Sequence, residues 1–401
     1  MPRRLPIIEF VALMALLFSM VAFAIDAMLP GLPDIAAELT PDTPNRAQLV
    51  VTAFMFGMGP GTLIAGPLAD AYGRRITTTV GIGIFIFGGL LAYIAPTLEL
   101  LLAARFLQGL GVAGPRIAPL AMIRDLYEGR RMARLTSFIT MIFMLVPAAA
   151  PSVGALIINT WDWRAIFIAF MAFGTIGAVW FNTRQAETLA LPDRRPLNYI
   201  RLKSGLVEIV TNKLVMLYTL IMTLAFSSLV AQLASTQQIY TDTYGRGESF
   251  PAWFALTALL ALPATLLNAA LVVRVGMRRL VLWSFGVQAL MSLTIGAVFL
   301  FGRLPWENTF ALWFLWSTGN LFGVGLTLGN LQALILQPLG HIAGFGASVT
   351  IAISTMAAVL IGAPIGLAFD GTPVPLIVGV TILAVVAWFL TRLTTREQAE
   401  E

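Results

Sequence analysis

Apolar runs of about twenty residues, separated by short polar connections, dominate this chain from end to end. A helix that crosses a bilayer needs about 20 mostly apolar residues. The pattern predicts twelve such helices, over 8–29, 47–69, 76–95, 99–123, 136–158, 164–183, 213–236, 251–273, 280–301, 309–334, 345–368 and 373–391. The longest polar stretch lies between the sixth and the seventh. It divides the chain into two six-helix halves, 1–185 and 213–401, joined by a linker over 186–212. The expected fold class is an all-α integral membrane protein: twelve transmembrane helices in two pseudo-symmetric bundles. The halves echo each other. Tyr72-Gly73-Arg74-Arg75 follows the second run, and Gly276-Met277-Arg278-Arg279 follows the eighth. Paired halves of this kind form transporters with a substrate site at mid-membrane between them.

Composition supports lipid as the solvent. Of 401 residues, 58% are apolar and 11% are charged. A soluble domain carries about 45–50% and about 25%. The same counts remove chemistries. There is no Cys, so no disulfide, Cys-ligated metal or thiol nucleophile. One His, His341, excludes paired-His metal motifs, and it sits in a short loop with no acid beside it in sequence. Lys203 and Lys213 are the two lysines, and neither follows Gly as a phosphate-binding loop requires. No metal, cofactor or enzymatic constellation is expected. Energy for any transport would come from an ion gradient, with protons the expected partner. A net charge of +5 does not point to nucleic acid, because the basic residues cluster in short loops between apolar runs.

Those loops set an orientation. With the N-terminus inside, 19 Lys and Arg fall in cytoplasmic segments and 4 outside: Arg46, Arg164, Arg246 and Arg303. The bias predicts both termini in the cytoplasm. The first thirty residues also have signal-peptide features, with Arg3 and Arg4 before an apolar run and Ala22-Phe23-Ala24 as a cleavage-like site. Cleavage there would leave eleven spans and upset the charge bias.

Charges inside spans are rare and mark function. The uninterrupted apolar run 11–25 is too short to cross, which pulls Asp26 into the membrane. Hydrocarbon favours the neutral form of a carboxyl group, so Asp26 is a candidate proton carrier. The bland alternative is a helix end at the headgroups, since Pro30 and Pro33 follow. Asp34 is either a second proton site or a helix N-terminal residue. Arg105 and Arg116 lie 11 residues apart, about 20° past three turns, and so share a helix face about 16 Å apart. Gln108 lies near that face. An arginine stays charged, so each would hold an anionic group or influence a nearby acid. The alternative is a structural contact with carbonyls or with Asp26.

The segment from Gly66 to Arg75 makes a tight turn carrying Asp70, Gly73, Arg74 and Arg75. Arg124-Asp125 ends the fourth span on the same side, placing Asp125 to pair with Arg74 or Arg75. Such a cluster would latch one conformation. Pro147 and Pro151, one turn apart and followed by Gly154, form either a hinge or ordinary small-residue packing. Polar amides continue through the second half, with Gln232 and Asn320 as candidate substrate contacts.

These strings resemble the major facilitator superfamily, in its drug–proton antiporter branch of Bcr/CflA type. Gly66-Pro67-Leu68-Ala69-Asp70 through Arg75 is similar to the signature loop between helices 2 and 3. Leu102 to Gly111 is similar to the helix 4 motif, which implies Arg105 as a proton-coupling arginine. Asp26 with Leu29 to Asp34 is similar to the helix 1 pattern, in which an acid serves proton and substrate binding. Pro147 to Gly154 resembles the antiporter motif of helix 5 but departs from its Gly-Pro core. Arg116 is outside the general motif. The resemblance implies a monomeric bacterial inner-membrane protein that exports drugs or other small amphiphiles against protons. Uptake of a metabolite by proton symport, or a receptor that transports nothing, are the rival readings.

Overall fold

The computed structural model describes residues 5–302 and 305–394. Arg3, Arg4, Arg303 and Arg396, counted above for orientation, lie outside them. Among the described residues all regular structure is helical. Fifteen α-helices run α1 (Ile7–Asp26), α2 (Leu32–Leu39), α3 (Leu49–Tyr72), α4 (Arg74–Tyr93), α5 (Leu98–Leu126), α6 (Gly129–Thr160), α7 (Ala165–Arg184), α8 (Tyr199–Thr211), α9 (Lys213–Gln238), α10 (Phe250–Ala261), α11 (Pro263–Val275), α12 (Met277–Phe301), α13 (Phe310–Leu336), α14 (Ala343–Leu367) and α15 (Val374–Leu393). Among the described residues eleven helical stretches are long and apolar enough to cross a membrane. One of them, Phe310–Leu367, is 58 residues long. It is interrupted by a 3-10 turn at Gln337–Ile342, where Leu339 leaves helical geometry. Counted as α13 and α14, it brings the crossings to twelve. The chain is a multi-pass membrane protein.

The differences from the apolar pattern have physical reasons. α1 stops at Asp26, and a 3-10 turn at Leu29–Gly31 leads into α2. Pro30 and Pro33 cannot donate the backbone hydrogen bonds that would continue α1 as one helix. α6 begins at Gly129, seven residues before its apolar run, because Arg130, Arg131 and Arg134 are good helix formers outside the hydrocarbon. Both prolines of α6 lie inside one continuous helix. The linker contains α8, which the apolar pattern did not show. Glu208 of α8 meets His341 at 2.9 Å, so the histidine without a sequence neighbour does have an acidic partner in space.

The contacts group the chain into two compact units: Met1–Pro41 with Ala53–Lys203, and Asp42–Thr52 with Ser204–Glu401. Within the first, α4 packs on α5 and α7, and α1 on α5, α6 and α7. Gly154 is where α6 meets the end of α1. A side chain there would put a carbon 2.0 Å from the carbonyl oxygen of Ala27, so close backbone approach explains this glycine. Within the second, α9 packs on α13, α14 and α15, and α12 on α13 and α15. The buried core there includes Tyr218, Ile221, Met222, Val281, Leu331 and Leu334. Asn45 belongs to this unit. Its Nδ2 donates to the carbonyls of Leu367 at 3.1 Å and Phe369 at 2.8 Å, satisfying acceptors at and beyond the end of α14.

Candidate functional site

The polar centre of the first unit is built where α1 ends against α5. At the C-terminus of α1 the chain turns tightly, and Met28 N donates to Ile25 O. That leaves the carbonyl of Ala24 without its normal helical donor. Arg105 supplies one: its Nη2 donates to Ala24 O at 2.9 Å, and its Nη1 donates to Gln108 Oε1 at 2.6 Å. Arg105 is 0% exposed. Its guanidinium carbon lies 4.5 Å from the ring centre of Phe54, 5.8 Å from Phe170 and 6.0 Å from Phe167. Aromatic faces attract a desolvated cation by about 2 kcal/mol or more, and the negative end of the α1 dipole adds to that. A carbonyl, an amide and three rings therefore hold the charge.

Asp26, the last residue of α1, is 4% exposed. Among the described residues its carboxylate accepts no hydrogen bond and meets no cation. Arg105 thus reaches the helix that carries Asp26, two residues back, and not the carboxylate itself. On either side of Asp26 in sequence, Ala27 meets Gly154 of α6, and Phe23 packs on Phe170 and Phe173 of α7. Asp34 is placed elsewhere, exposed in the first turn of α2. Arg116 is half-buried on α5. It makes no hydrogen bond or ion pair among the described residues. Gln108 is buried, and its Nε2 has no acceptor.

The second unit uses amides where the first uses charges. Gln232 Nε2 donates to Ser317 O at 2.9 Å, Asn320 Nδ2 donates to Gln232 Oε1, and Gln288 Nε2 donates to Asn320 Oδ1. The chain of bonds ties α9, α12 and α13 together. Gln232 and Asn320 are thereby brought together by one hydrogen bond, and the other half of each amide is spent on Ser317 O and Gln288. Gln288 was not singled out in the sequence, since one amide in an apolar run carries no signal of its own.

The turn between α3 and α4 carries the charge cluster. Arg74 Nη1 donates to Asp70, and Arg74 Nε meets Asp125 at 3.3 Å. Asp125 pairs with Arg74 rather than Arg75, whose Nη2 donates to Asn182 O at 2.5 Å. Arg124 is exposed and has no partner among the described residues. Gly66 lies inside α3. Gly73 has φ +108°, in the region that favours glycine. It cannot cap α4 with a side chain, and Glu187 does so from the linker. Its two oxygens accept from Arg74 N and Arg75 N, both at 3.0 Å. Thr188 Oγ1 donates to Asp125 Oδ2 at 2.8 Å, and Arg195 N donates to Asp70 O at 3.0 Å. The linker therefore completes the cluster. Sequence reasoning missed Glu187 and Thr188, because an acid in a polar stretch is unremarkable until the fold supplies its partners.

Two further contacts explain charges near helix ends. Arg164, one of the four basic residues assigned outside, meets Glu38 at 2.7 Å, and that carboxylate raises its pKa. Glu9 meets Arg184 at 2.7 Å.

A buried acid at the end of α1, an arginine of α5 bonded to that helix end, a glycine turn held by an Arg–Asp cluster and twelve apolar crossings form one constellation. Residues 12–363 match the Major Facilitator Superfamily. The chain belongs to the major facilitator superfamily. It is a transporter and not an enzyme. The chain is 27% identical over 288 residues, 71% of each sequence, to the bicyclomycin resistance protein homolog of Haemophilus influenzae. It is 30% identical over 314 residues, 77% of this chain and 76% of the relative, to the multidrug resistance protein MdtL of Salmonella heidelberg. Its fold is similar to the crystal structure of a D-xylose-proton symporter, with TM-score 0.79 over 98% of this chain and 99% of the other at 13% identity.

Proposed function

We propose that this transporter exports drugs or other small amphiphilic molecules across the bacterial inner membrane by exchanging them for protons, alternating access between the two sides. The observation that carries the reading is Asp26, a carboxylate buried at the end of α1 without a partner, next to a fixed arginine. A buried acid that no cation pairs is the group in this chain best suited to take and release a proton. Substrate and proton alternate on it, and Arg105 keeps the α1 terminus in place during the exchange. Asp70, Arg74, Arg75, Asp125 and Glu187 form the cytoplasmic latch, and the prolines of α6 lend that helix its compliance. Relatives named for bicyclomycin and multidrug resistance support efflux as the direction. Both termini lie in the cytoplasm on the charge bias, and the chain works as a monomer.

Proteoliposome flux under an imposed pH gradient tests the reading. Wild-type protein moves a fluorescent drug against its gradient when protons run the other way, and Asp26→Asn abolishes that coupling. Full proton-driven flux in Asp26→Asn sinks the assignment. Drug and proton moving in the same direction makes the protein a symporter.

A further inference from the structure

Arg116 and Arg105 lie on one face of α5, about 20° apart around the axis and about 16 Å along it. Arg105 points to α1, since it bonds Ala24 O. Arg116 therefore projects along the same side. Leu110, Gly111 and Gly114 lie on roughly the opposite side of the helix. There they line an apolar groove of about 220 Å³ with Ile64 and Val80 of α3 and α4. Ile64 and Val80 are exposed on the outer surface, so the lipid side of α5 is that groove, and Arg116 faces away from it.

Arginine at membrane depth costs several kcal/mol unless it finds an anion, carbonyls or water. Arg105 finds carbonyl, amide and ring faces. Arg116 finds none of these among the described residues, yet it is half-buried. An unsatisfied cation of this kind is complementary to an anionic group that arrives and leaves. The acid and the arginine then constrain the substrate together. A molecule that brought only negative charge would bind better when Asp26 is protonated, so proton and substrate would travel together. Exchange requires competition at Asp26, and a cationic group on the substrate competes with a proton there.

We propose that the transported molecules are ampholytic amphiphiles, with a carboxylate or similar anion held by Arg116 and a cationic group received at Asp26. The inference rests on the exporter reading above and names its substrate class. Guanidinium holds a carboxylate by paired charge-assisted hydrogen bonds. Neutral and purely cationic compounds remain weaker ligands of the same site.

The test uses full-length protein in lipid nanodiscs at neutral pH and titrates two probes. Norfloxacin carries a carboxylate and a piperazine cation at opposite ends of a flat apolar core. Its methyl ester keeps the cation and loses the anion. Wild type binds the acid about tenfold more tightly than the ester. Arg116→Gln brings the ratio to within about twofold, Arg116→Lys keeps an intermediate ratio, and Asp26→Asn weakens both probes alike. Equal melting temperatures of the Gln and Lys variants show that both are folded. Equal binding of acid and ester by wild type, or no binding of either, overturns the proposal. So does a ratio that survives in Arg116→Gln. Flux is measured separately. Selective binding without proton-driven export leaves the substrate class standing and removes the antiport reading.

Discussion

Glu187 offers the sharpest test of how the linker holds the charge cluster. Its Oε1 accepts from the backbone nitrogens of Arg74 at 3.0 Å, Thr188 at 3.0 Å and Leu189 at 3.1 Å, and its Oε2 accepts from Arg75 N at 3.0 Å. Arg74 and Arg75 open α4, so their amides have no helical acceptor. Glu187→Gln leaves one oxygen and turns an N–H donor toward the Arg75 amide. A lost cap costs about 1 kcal/mol, and a hydrogen bond to a charged group about 1.5–3. Glu187 is half-buried, which favours the lower part of that range, so we expect about 1–2 kcal/mol of local destabilisation. That corresponds to about a 5–30-fold rise in the open population. Hydrogen exchange read on peptides covering 73–79 reports it directly, because the first two amides of α4 have no other acceptor. Glu187→Ala should exchange faster still, and peptides from α9 should be unaffected. If both variants change exchange at the start of α4 by less than twofold, the cap is a contact without energetic consequence.

Three other outcomes follow from the same geometry. Asn320→Leu strands Gln232 Oε1 and Gln288 Nε2 in the second unit at about 1–3 kcal/mol each, so thermal unfolding moves down by several degrees while probe selectivity is kept. Arg105→Lys cannot serve Ala24 O, Gln108 and the Phe54 ring with one ammonium, so proton-driven flux in vesicles falls by about tenfold or more. Gly73→Ala meets both the +108° φ and a carbon 2.3 Å from Glu187 Oε2. It costs about 1–3 kcal/mol and raises exchange at the same α4 amides as Glu187→Gln.

The parts of this molecule that depend on local composition were legible in the sequence, and those that depend on chain meeting chain were not. Apolar runs marked the crossings to within a few residues at most ends, because hydrocarbon thickness imposes a length. They failed at the start of α6 and in α8, where the helix lies beyond the hydrocarbon and hydropathy has nothing to register. The turn at Gly73 was legible because a positive φ and an Arg–Asp spacing are local requirements. Glu187 was not, since its partners are 113 and 112 residues away. The burial of Asp26 and Arg105 was visible in the sequence as charges in apolar surroundings. That Arg105 takes a carbonyl two residues short of Asp26 could come only from the way α1 ends. Gln232 and Asn320 stood out as polar residues, but only the fold shows that they face each other with Gln288 as the third member.

The division of labour between charges and amides follows from what each costs in a membrane. An amide chain such as Gln232–Asn320–Gln288 is neutral in every state, and its donors and acceptors can be satisfied within the unit. It ties helices together and has no reason to respond to a proton. A charge can be satisfied only by an opposite charge, by strong dipoles or by water, so its energy depends on what occupies the site. On the proposed reading Asp26 and Arg116, left without partners among the described residues, are the groups whose stability a proton or a charged ligand would alter. Arg105 differs from them because carbonyl, amide and three rings already satisfy it, which makes it a fixed reference. Transport needs both kinds of residue: fixed ones that give the bundle one shape, and unsatisfied ones whose free energy the cargo alters. On the proposed reading the second kind includes Asp26 of α1 and Arg116 of α5, and there a change of ligand would be converted into a change of conformation.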